Sequence, residues 1–441
     1  MMMRCHVFLS ILIGLSGGYG CSPPPGDAGP AAADSLPLSP LVQISQSATD
    51  SQTFLNTSKC VAVTADGVIH VAWLEIQVAA PFPGHAQQGQ ITYSRSTDGG
   101  QTFSAASTLT PVVSEVGTPK LAAAGNSVFA VWHQSDGQRS QIILGHSDDS
   151  GLTWIPYPTP LGPGNFPAID AWSDGASAPF VHVTWSNSQV PSGVSEVYLA
   201  NSRDGARTFS APIRVSSDDG RSSWTPAVSS WGETVHVAWT DERHNVDELG
   251  QPYDCGTVGG GPTCHEEEYY RRSQDGGASF PDPELRLTTD PAAMPRYSWA
   301  PSIVAWKQTV HLAYFDARTD RFQIYYRKSQ DDGRTWVSET SVTGSLDAQP
   351  MGGWWRPSLT ARNTELRIAF WRQEDESASS AWAVASADEG ATFTAPILLS
   401  TGTVALQPAA ALGADGAAHF VFYDSPSGNQ EIFYRRMAAR K

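Results

Sequence analysis

Arginine and tryptophan recur together at three places in the chain. The segments are Arg221-Ser-Ser-Trp224, Arg296-Tyr-Ser-Trp299 and Trp354-Trp355-Arg356. A guanidinium group binds a carboxylate through two parallel hydrogen bonds, while a neighbouring indole ring stacks on a sugar. The segments therefore predict a site for an acidic sugar, with Arg221, Arg296 and Arg356 as its cations and the tryptophans as substrate contacts. The alternative is that the arginines form salt bridges between repeats and the tryptophans fill the core between them.

A second set of polar residues stands where alternating, strand-like segments end. The equivalent positions are Glu75, Gln134, Asn187, Asp241, Asp316, Arg372 and Asp424. Two of them begin an Asp-x-Arg sequence, and these are Asp241-Glu-Arg243 and Asp316-Ala-Arg318. A ring of such side chains could hold a general acid. Arg243, Asp316 and Arg318 would then contact the substrate. Alternatively, each aspartate pairs with its own arginine and holds its loop in place, which is common for such pairs.

These residues belong to a chain that repeats itself. Six copies of an octapeptide, Ser-x-Asp-x-Gly-x-Thr/Ser-Phe/Trp, occupy Ser96–Phe103, Ser147–Trp154, Ser202–Phe209, Ser273–Phe280, Ser329–Trp336 and Ser386–Phe393, the third with alanine in place of the glycine. Their aspartates lie 51 to 71 residues apart. A recurring spacing of this size indicates one supersecondary unit repeated around an axis or along a solenoid.

Each repeat reads as four short strands. The octapeptide follows a strand-like run such as Gln323–Arg327 and precedes an extended segment such as Ser210–Val215, so it predicts a hairpin turn. Runs such as Val235–Trp239 alternate polar and apolar residues with period two. Four strands per unit predict an all-β propeller with antiparallel blades. The octapeptides would mark one face of the ring, and the site would lie on the opposite face, where loops of several blades converge.

The number of repeats exceeds the number of octapeptides by one. The alternating run ends at Trp73, Trp132, Trp185, Trp239, Tyr314, Phe370 and Phe422, and the seventh repeat has no final strand. Leu38–Ser45, near the other end of the chain, resembles the final strand Phe209–Ser216. We therefore predict seven blades, the last completed by this N-terminal strand, which would close the ring and leave no exposed edge. Six blades, one per octapeptide, are the alternative.

The octapeptide resembles the Asp-box, or BNR repeat, of the sialidase superfamily. The resemblance implies a β-propeller that holds the carboxylate of sialic acid with an arginine triad, for which Arg221, Arg296 and Arg356 are the candidates. Retaining sialidases use a tyrosine nucleophile beside an acid/base carboxyl. By analogy, Tyr297 or Tyr253 would pair with a glutamate from 266–268, and Asp241 would be the acid/base. The Phe/Tyr-Arg-Ile-Pro segment with which that family opens is missing, since no arginine lies between Arg4 and Arg95.

The resemblance and the candidate site together predict a glycan-active hydrolase of sialidase type that acts on an acidic sugar without a cofactor. One alternative is a non-catalytic propeller that binds glycan or protein. A structural lipoprotein without a small-molecule site is another. The formal net charge of −16 argues against nucleic acid or an anionic membrane surface as a partner.

The N-terminal segment predicts export. Met1–Arg4 and the apolar run Val7–Ile13 have the layout of a signal peptide over 1–20. Gly18–Cys21 resembles a bacterial lipobox, which would make Cys21 the lipidated N-terminus, and a linker follows over 21–36. The prediction is one propeller domain over 37–441, a monomer held at the bacterial cell envelope by its lipid anchor alone. Secretion without an anchor is the alternative.

The longest spacing contains an insertion that begins after Asp241. Cys255 and Cys264 bracket its glycine-rich loop and predict a disulfide in an oxidising compartment, while Cys60 on an apolar strand predicts a buried thiol. The insertion also carries carboxylates and two histidines, His244 and His265, without a recognised ligand spacing. An acidic lid stapled by a disulfide is therefore predicted in preference to a metal site.

Overall fold

The computed structural model describes residues 36–53, 59–79, 85–135, 137–188, 193–244, 266–288, 298–318, 322–343, 354–374, 378–402, 404–426 and 428–440. The chain separates into two units, Met1–Ser35 and Leu36–Lys441, and all described residues belong to the second. Within these ranges the regular secondary structure is entirely β-strand. No helix in them is long and apolar enough to cross a membrane.

The described residues form 31 strands, most of them between two and twelve residues long. In chain order they are β1 (Val42–Gln43), β2 (Ser51–Gln52), β3 (Val61–Val63), β4 (Ile69–Ala79), β5 (His85–Ser96), β6 (Ser107–Thr108), β7 (Val113–Gly117), β8 (Lys120–Ala124), β9 (Ser127–Ser135), β10 (Ser140–Ser147), β11 (Ile155–Pro156), β12 (Gly162–Pro163), β13 (Asn165–Trp172), β14 (Phe180–Asn187), β15 (Glu196–Ser202), β16 (Ile213–Arg214), β17 (Ser223–Trp231), β18 (Thr234–Asp241), β19 (Glu267–Ser273), β20 (Leu285–Arg286), β21 (Ser298–Trp306), β22 (Thr309–Asp316), β23 (Gln323–Ser329), β24 (Thr340–Ser341), β25 (Trp354–Arg362), β26 (Glu365–Gln373), β27 (Ser379–Ser386), β28 (Ile397–Leu398), β29 (Leu406–Leu412), β30 (Ala418–Asp424) and β31 (Glu431–Met437).

The strands pair into antiparallel sheets with a recurring order. Five sheets have four strands each, and their orders are β13-β14-β15-β16, β17-β18-β19-β20, β21-β22-β23-β24, β25-β26-β27-β28 and β1-β31-β30-β29. A sixth sheet has eleven strands, in which β7 joins the group β3-β4-β5-β6 to the group β8-β9-β10-β11. The all-β class and the four-stranded antiparallel repeat agree with the sequence prediction.

Each octapeptide forms the turn between the last two strands of its group, and its aspartate is the hydrogen-bond centre of that turn. In the first copy, the Ser96 hydroxyl donates to Asp98 at 2.8 Å, and the Thr102 amide donates to the same oxygen at 3.0 Å. Hydrogen bonds from the side chain and backbone of Thr102 lower the pKa of Asp98 to about 2. The corresponding hydroxyls donate to the aspartate in the other five copies. The aspartate therefore builds the turn, as predicted.

The fifth residue of the octapeptide locks neighbouring sheets together. Gly333 has a φ of +81°, and a Cβ atom there would lie 1.8 Å from the Tyr270 hydroxyl of the preceding sheet. That hydroxyl also lies 2.7 Å from His236 Nδ1. The third copy carries Ala206 instead of glycine, and Ala206 shares a core cluster with the aliphatic Leu144 of the preceding group.

The N-terminal strand completes the last sheet, as predicted from the sequence. Val42 pairs with Tyr434 and Gln43 pairs with Phe433. The Ser45 hydroxyl accepts a hydrogen bond from the Ile432 amide at 2.8 Å, and Ser216 accepts one from the Val197 amide at 2.9 Å. The Ser45 hydroxyl therefore accepts the same third-strand amide in the last sheet as the Ser216 hydroxyl does in the β13-β14-β15-β16 sheet. This strand covers the edge of β31, which would otherwise expose unpaired backbone groups.

The first strands of the groups form a closed series. β3, β8, β13, β17, β21, β25 and β29 each contact the next, and β29 contacts β3. The octapeptide turns hydrogen-bond to the turns that follow these first strands, for example from the Asp332 amide to the Gln308 carbonyl at 2.8 Å. The end at which the first strands begin, here called the mouth, therefore lies opposite the octapeptides.

The core consists of apolar clusters between neighbouring sheets. Cys60 belongs to one of them and is buried, as predicted, and burial raises the pKa of its thiol to about 12. The predicted lipidation site Cys21 and the predicted disulfide between Cys255 and Cys264 lie outside the described residues.

Candidate functional site

Five first strands begin at the mouth with the same irregularity. The residue that precedes a proline has a positive φ in each, and the five are Phe166 (53°), Thr225 (50°), Ala300 (57°), Arg356 (47°) and Gln407 (52°). The strand register shifts at the same point, which marks a β-bulge. Bulges re-aim side chains next to active sites, and backbone strain of this kind concentrates there. The mouth is therefore the candidate functional site.

Arg356, one of the predicted cations, occupies one of these bulges. Its guanidinium carbon lies 4.6 Å from the centre of the Trp299 ring on the preceding sheet. Its charge also acts on two residues from other sheets. Burial, opposed by Cys60 and assisted by Arg356, lowers the pKa of Lys120 to about 8. Burial raises the pKa of Tyr423, which Arg356 opposes. Arg356 therefore lies within electrostatic reach of several sheets at the mouth.

Two buried carboxyl groups lie at the same end of the β17-β18-β19-β20 sheet. Glu266 is 5% exposed and Glu268 is fully buried. Burial raises the pKa of both well above the usual range. The half-buried Glu242 raises the pKa of Glu266 further, since the two carboxyls are hydrogen-bonded and close enough to share a proton. One oxygen of Glu266 and one of Glu268 have no hydrogen-bond partner in the described part of the chain. Burial therefore favours the neutral, protonated form of both carboxyls.

Glu268 breaks the pattern of the repeat. The strand pairings assign the same position in the other groups to Ile91, Ile142, Val197, Ile324, Ala381 and Ile432. All six are buried and aliphatic. Burying a carboxyl at a core position costs free energy, which makes Glu268 a candidate functional residue. The signal was present in the sequence, because aligning the third strands shows a glutamate where every other repeat is apolar.

Thr240 connects the acidic pair to the bulges. Its hydroxyl lies 3.4 Å from Glu268 Oε1 and 2.9 Å from the Thr225 hydroxyl. It also accepts a hydrogen bond from the backbone amide of Ala300 at 3.3 Å. Ala300 directly follows Trp299, on which Arg356 stacks. Thr240 thus links Glu268 to two of the bulged strands, and Arg356 contacts the second of these through Trp299. An acid of raised pKa can protonate a leaving group, and a cation can bind an anionic substrate.

Asp241 and Asp316 are both fully buried, and each is held by its own arginine. Arg243 donates to the two carboxylate oxygens of Asp241 at 2.7 Å each, and the Trp239 indole and Ser223 hydroxyl donate at 3.0 Å. Arg318 donates to Asp316 at 2.9 and 2.7 Å. This is the pinned geometry that the alternative interpretation predicts. All lone pairs that would serve a reaction at Asp241 are engaged, so the site offers Glu266 as a better proton donor.

The two arginines have further partners that fix their loops. Arg243 forms an ion pair with Glu284 at 2.7 Å and stacks on Tyr269 at 4.0 Å. Arg318 contacts Glu339 and stacks on Tyr325 at 4.2 Å. These contacts tie each loop to its own outer strands, which leaves little of either guanidinium for a substrate.

The predicted tryptophan contacts divide between packing and the mouth. Trp355 stacks on Trp371 at 5.6 Å and packs on Phe322 at 4.1 Å, so it fills the space between sheets as the alternative interpretation predicts. Trp299 contributes its face to Arg356 and its edge to Phe315. Trp224 is half-buried, and its indole nitrogen has no hydrogen-bond partner in the described ranges. The backbone of Trp354 pairs with Arg372 in β25 and β26.

The predicted arginine triad is not assembled by the described residues. Arg221 is half-buried, with its backbone amide donating to Asp219 at 2.9 Å, and no contact in the described ranges joins it to Arg356. Arg296, Tyr297 and Tyr253 lie outside those ranges. Their predicted roles therefore stay predictions. Within the described chain, no group of three histidine, cysteine, aspartate or glutamate side chains has the geometry to hold a metal ion.

Comparison with known proteins identifies a related fold but no family. No protein-family model matches the sequence, and no curated protein matches it. A solved structure described as a new family of polysaccharide lyase, PL25 ulvan lyase, superimposes with a TM-score of 0.58 at 12% identity, over 88% of this chain and 94% of that chain. The same lyase bound to -[GlcA(1-4)Rha3S]- gives a TM-score of 0.58 at 11% identity, over the same shares. A Hadza microbial sialidase gives 0.46 at 16% identity, over 73% of this chain and 63% of that chain. The likeness to ulvan lyase shows a shared all-β fold.

Proposed function

We propose that the protein is a carbohydrate-active β-propeller enzyme that cleaves a glycosidic bond beside an acidic sugar. The observation that carries the proposal is the pair of buried carboxyls Glu266 and Glu268, whose pKa burial raises well above the usual range, at a mouth that also holds Arg356. A binding protein has no need of a carboxyl whose ionisation is suppressed, whereas an enzyme uses one as a general acid.

The proposed reaction is hydrolysis. Arg356 binds the carboxylate of the substrate, and Trp299 holds the guanidinium in orientation. Glu266 donates its proton to the leaving oxygen as the glycosidic bond breaks, water adds to the anomeric carbon, and the proton that this water loses returns to the Glu242–Glu266 pair. Glu242 is half-buried and shares the proton of Glu266, so it is suited to restoring the protonated state. Glu268 keeps the surroundings of Glu266 uncharged.

Two comparisons support the class of substrate. The solved structure with a TM-score of 0.58 is a polysaccharide lyase, and its bound ligand contains a glucuronate. The octapeptides resemble those of sialidases, whose substrate also carries a carboxylate. Sialidase-type hydrolysis, with Tyr297 as nucleophile and Arg221 and Arg296 completing a triad with Arg356, is the finer form of the proposal.

The proposal extends to architecture and location. The closed series of first strands and the completion of the last sheet by β1 support seven blades. The signal-peptide and lipobox patterns support an exported monomer anchored at the bacterial cell envelope through Cys21.

The experiment is a substrate screen with two readouts. The purified protein is incubated with sialyl oligosaccharides and with uronate polysaccharides, and new reducing ends are measured beside unsaturated products. We expect reducing ends without unsaturation. Glu266→Gln should lower kcat by about 10²- to 10⁴-fold, the usual share of a general acid. Arg356→Gln should mainly raise KM.

Glu233→Gln is the matched control, because Glu233 is a carboxylate on the octapeptide face that pairs with Arg203. It should leave the rate unchanged. Saturable binding without turnover would instead support the non-catalytic alternative. Unsaturated products would show that the enzyme cleaves by elimination and not by hydrolysis.

A further inference from the structure

The end of the ring opposite the mouth carries a second, lopsided set of side chains. Where the first strands finish, four consecutive sheets present Trp172, Trp231, Trp306 and Arg362, which we call the rim. The equivalent positions in the other three groups are small, namely Thr64, Ala124 and Gly413. Packing alone gives no reason for large residues to crowd one half of the opening. The asymmetry leaves a space beside an aromatic wall.

The rim residues form a continuous surface. The Trp172 and Trp231 ring centres are 6.2 Å apart, and those of Trp231 and Trp306 are 4.8 Å apart. The guanidinium carbon of Arg362 lies 5.2 Å from the centre of the Trp306 ring. All four residues are half-buried, and they line a cavity of about 440 Å³. That volume is within the range of small-ligand sites.

The charges inside the cavity are balanced except at the rim. Lys59 reaches across it to Asp170 at 3.6 Å and to the Val228 carbonyl at 3.2 Å. Asp170 also accepts the amide and hydroxyl of Ser230 at 2.7 and 3.0 Å. Arg362 has no carboxylate partner among the described residues, and its guanidinium group lies over the Trp306 ring. The three rim indoles donate no hydrogen bond to any described residue.

We propose that the rim is a second carbohydrate-binding site, separate from the mouth, for a pyranose that carries a carboxylate. The sugar ring stacks on the Trp231–Trp306 wall, and Arg362 binds the carboxylate through its planar guanidinium. The first strand of a sheet runs from a bulge to the rim over about six residues, so the two sites lie roughly 20 Å apart. The rim therefore binds without taking part in the reaction.

The test separates the two sites by removing the cation of the mouth, Arg356. Isothermal titration calorimetry measures cellobiouronic acid and its uncharged counterpart cellobiose binding to the full-length Arg356→Gln protein. We expect one saturable site for cellobiouronic acid and at least tenfold weaker binding of cellobiose. Adding Arg362→Gln should weaken the binding of cellobiouronic acid at least tenfold, and adding Trp231→Leu should do the same.

Arg203→Gln is the control, since Arg203 lies on the same face outside the rim and pairs with Glu233. It should leave the affinity unchanged. The proposal is overturned if Arg356→Gln alone abolishes binding, if Arg362→Gln has no effect, or if cellobiose binds equally well. Among the described residues the guanidinium group of Arg362 contacts only the Trp306 ring, so Arg362→Gln should leave the fold intact. It therefore tests the site even if the Trp231 variant fails to fold. These outcomes do not depend on the reaction proposed for the mouth.

Discussion

Replacing Glu268 by isoleucine should stabilise the protein while leaving activity intact, because Glu266 remains as the proton donor and isoleucine is also uncharged. The substitution restores the residue type that six other third strands carry at this position, among them Ile324 and Ile432. It removes a buried carboxyl with one unpartnered oxygen. Thr240 keeps its hydrogen bonds to Thr225 and to the Ala300 amide, so no new buried polar atom is left without a partner.

The size of the effect follows from three contributions. Removing a buried polar atom that lacks a partner returns about 1 to 3 kcal/mol. Burying an aliphatic side chain contributes about 1.5 to 3 kcal/mol. Two costs oppose these gains by about 1 to 3 kcal/mol together. The branched isoleucine must fit beside Thr240, and Thr240 loses its weak hydrogen bond to Glu268. We therefore expect the free energy of unfolding to rise by about 1 to 3 kcal/mol.

The pH dependence gives a second, independent signature. The pKa of Glu268 is raised on folding, so the folded protein binds more protons than the unfolded chain between the ordinary glutamate pKa and the raised one. Stability contributed by this group is fully present below the ordinary pKa and is lost as pH rises through the raised pKa, with a slope of up to about 1.4 kcal/mol per pH unit. Glu268→Ile removes this slope, while the similar slope from Glu266 remains.

Urea unfolding followed by tryptophan fluorescence across pH 4 to 9 measures both signatures, and the substrate screen measures activity. Val197→Ile serves as the control, because it enlarges the aliphatic residue at the same position of another sheet. A Glu268→Ile protein that is less stable than the native one, with an unchanged pH slope, would refute the reasoning. The carboxyl would then be a structural group with compensating partners.

Three further predictions concern the frame around the site. Gly333→Ala should lower the free energy of unfolding by at least about 3 kcal/mol and Gly67→Ala by only about 1, because both have a φ near +80° but only the first Cβ meets a tyrosine hydroxyl; urea melts of the pair compare them. Ser45→Ala should cost about as much as Ser216→Ala, roughly 1 to 2 kcal/mol, if both hydroxyls accept the same strand amide; a negligible loss for Ser45 alone would speak against ring closure by β1. Arg243→Leu should destabilise by about 3 to 5 kcal/mol, since it leaves a buried aspartate unpaired; thermal unfolding tests it, and an unchanged midpoint would contradict the pinned geometry.

The repeat itself was readable in the sequence because its signals are local. Aspartate, glycine and the flanking hydroxyls of each octapeptide determine a turn within eight residues, and the alternation of Val235–Trp239 determines a strand. The similarity of Leu38–Ser45 to Phe209–Ser216 likewise predicted which segment covers the last edge, and the pairing of Val42 with Tyr434 agrees. The sequence also singled out Arg356 as a candidate, because it stands beside a tryptophan pair in the chain, and its role stays a prediction.

The state of the acidic residues was decided by tertiary structure alone. Asp241 and Glu266 look equally suited to acid catalysis in the sequence, yet Arg243 pairs with the first, while burial and the neighbouring Glu242 raise the pKa of the second. A pKa depends on the charges and the desolvation that other sheets impose, and spacing along one strand does not carry that information. In the same way, Trp355 and Trp231 differ in role because one is enclosed between sheets and the other borders a cavity. The sequence determined the repeated unit, and the packing of the units around one axis determined which members of each repeat are available for chemistry.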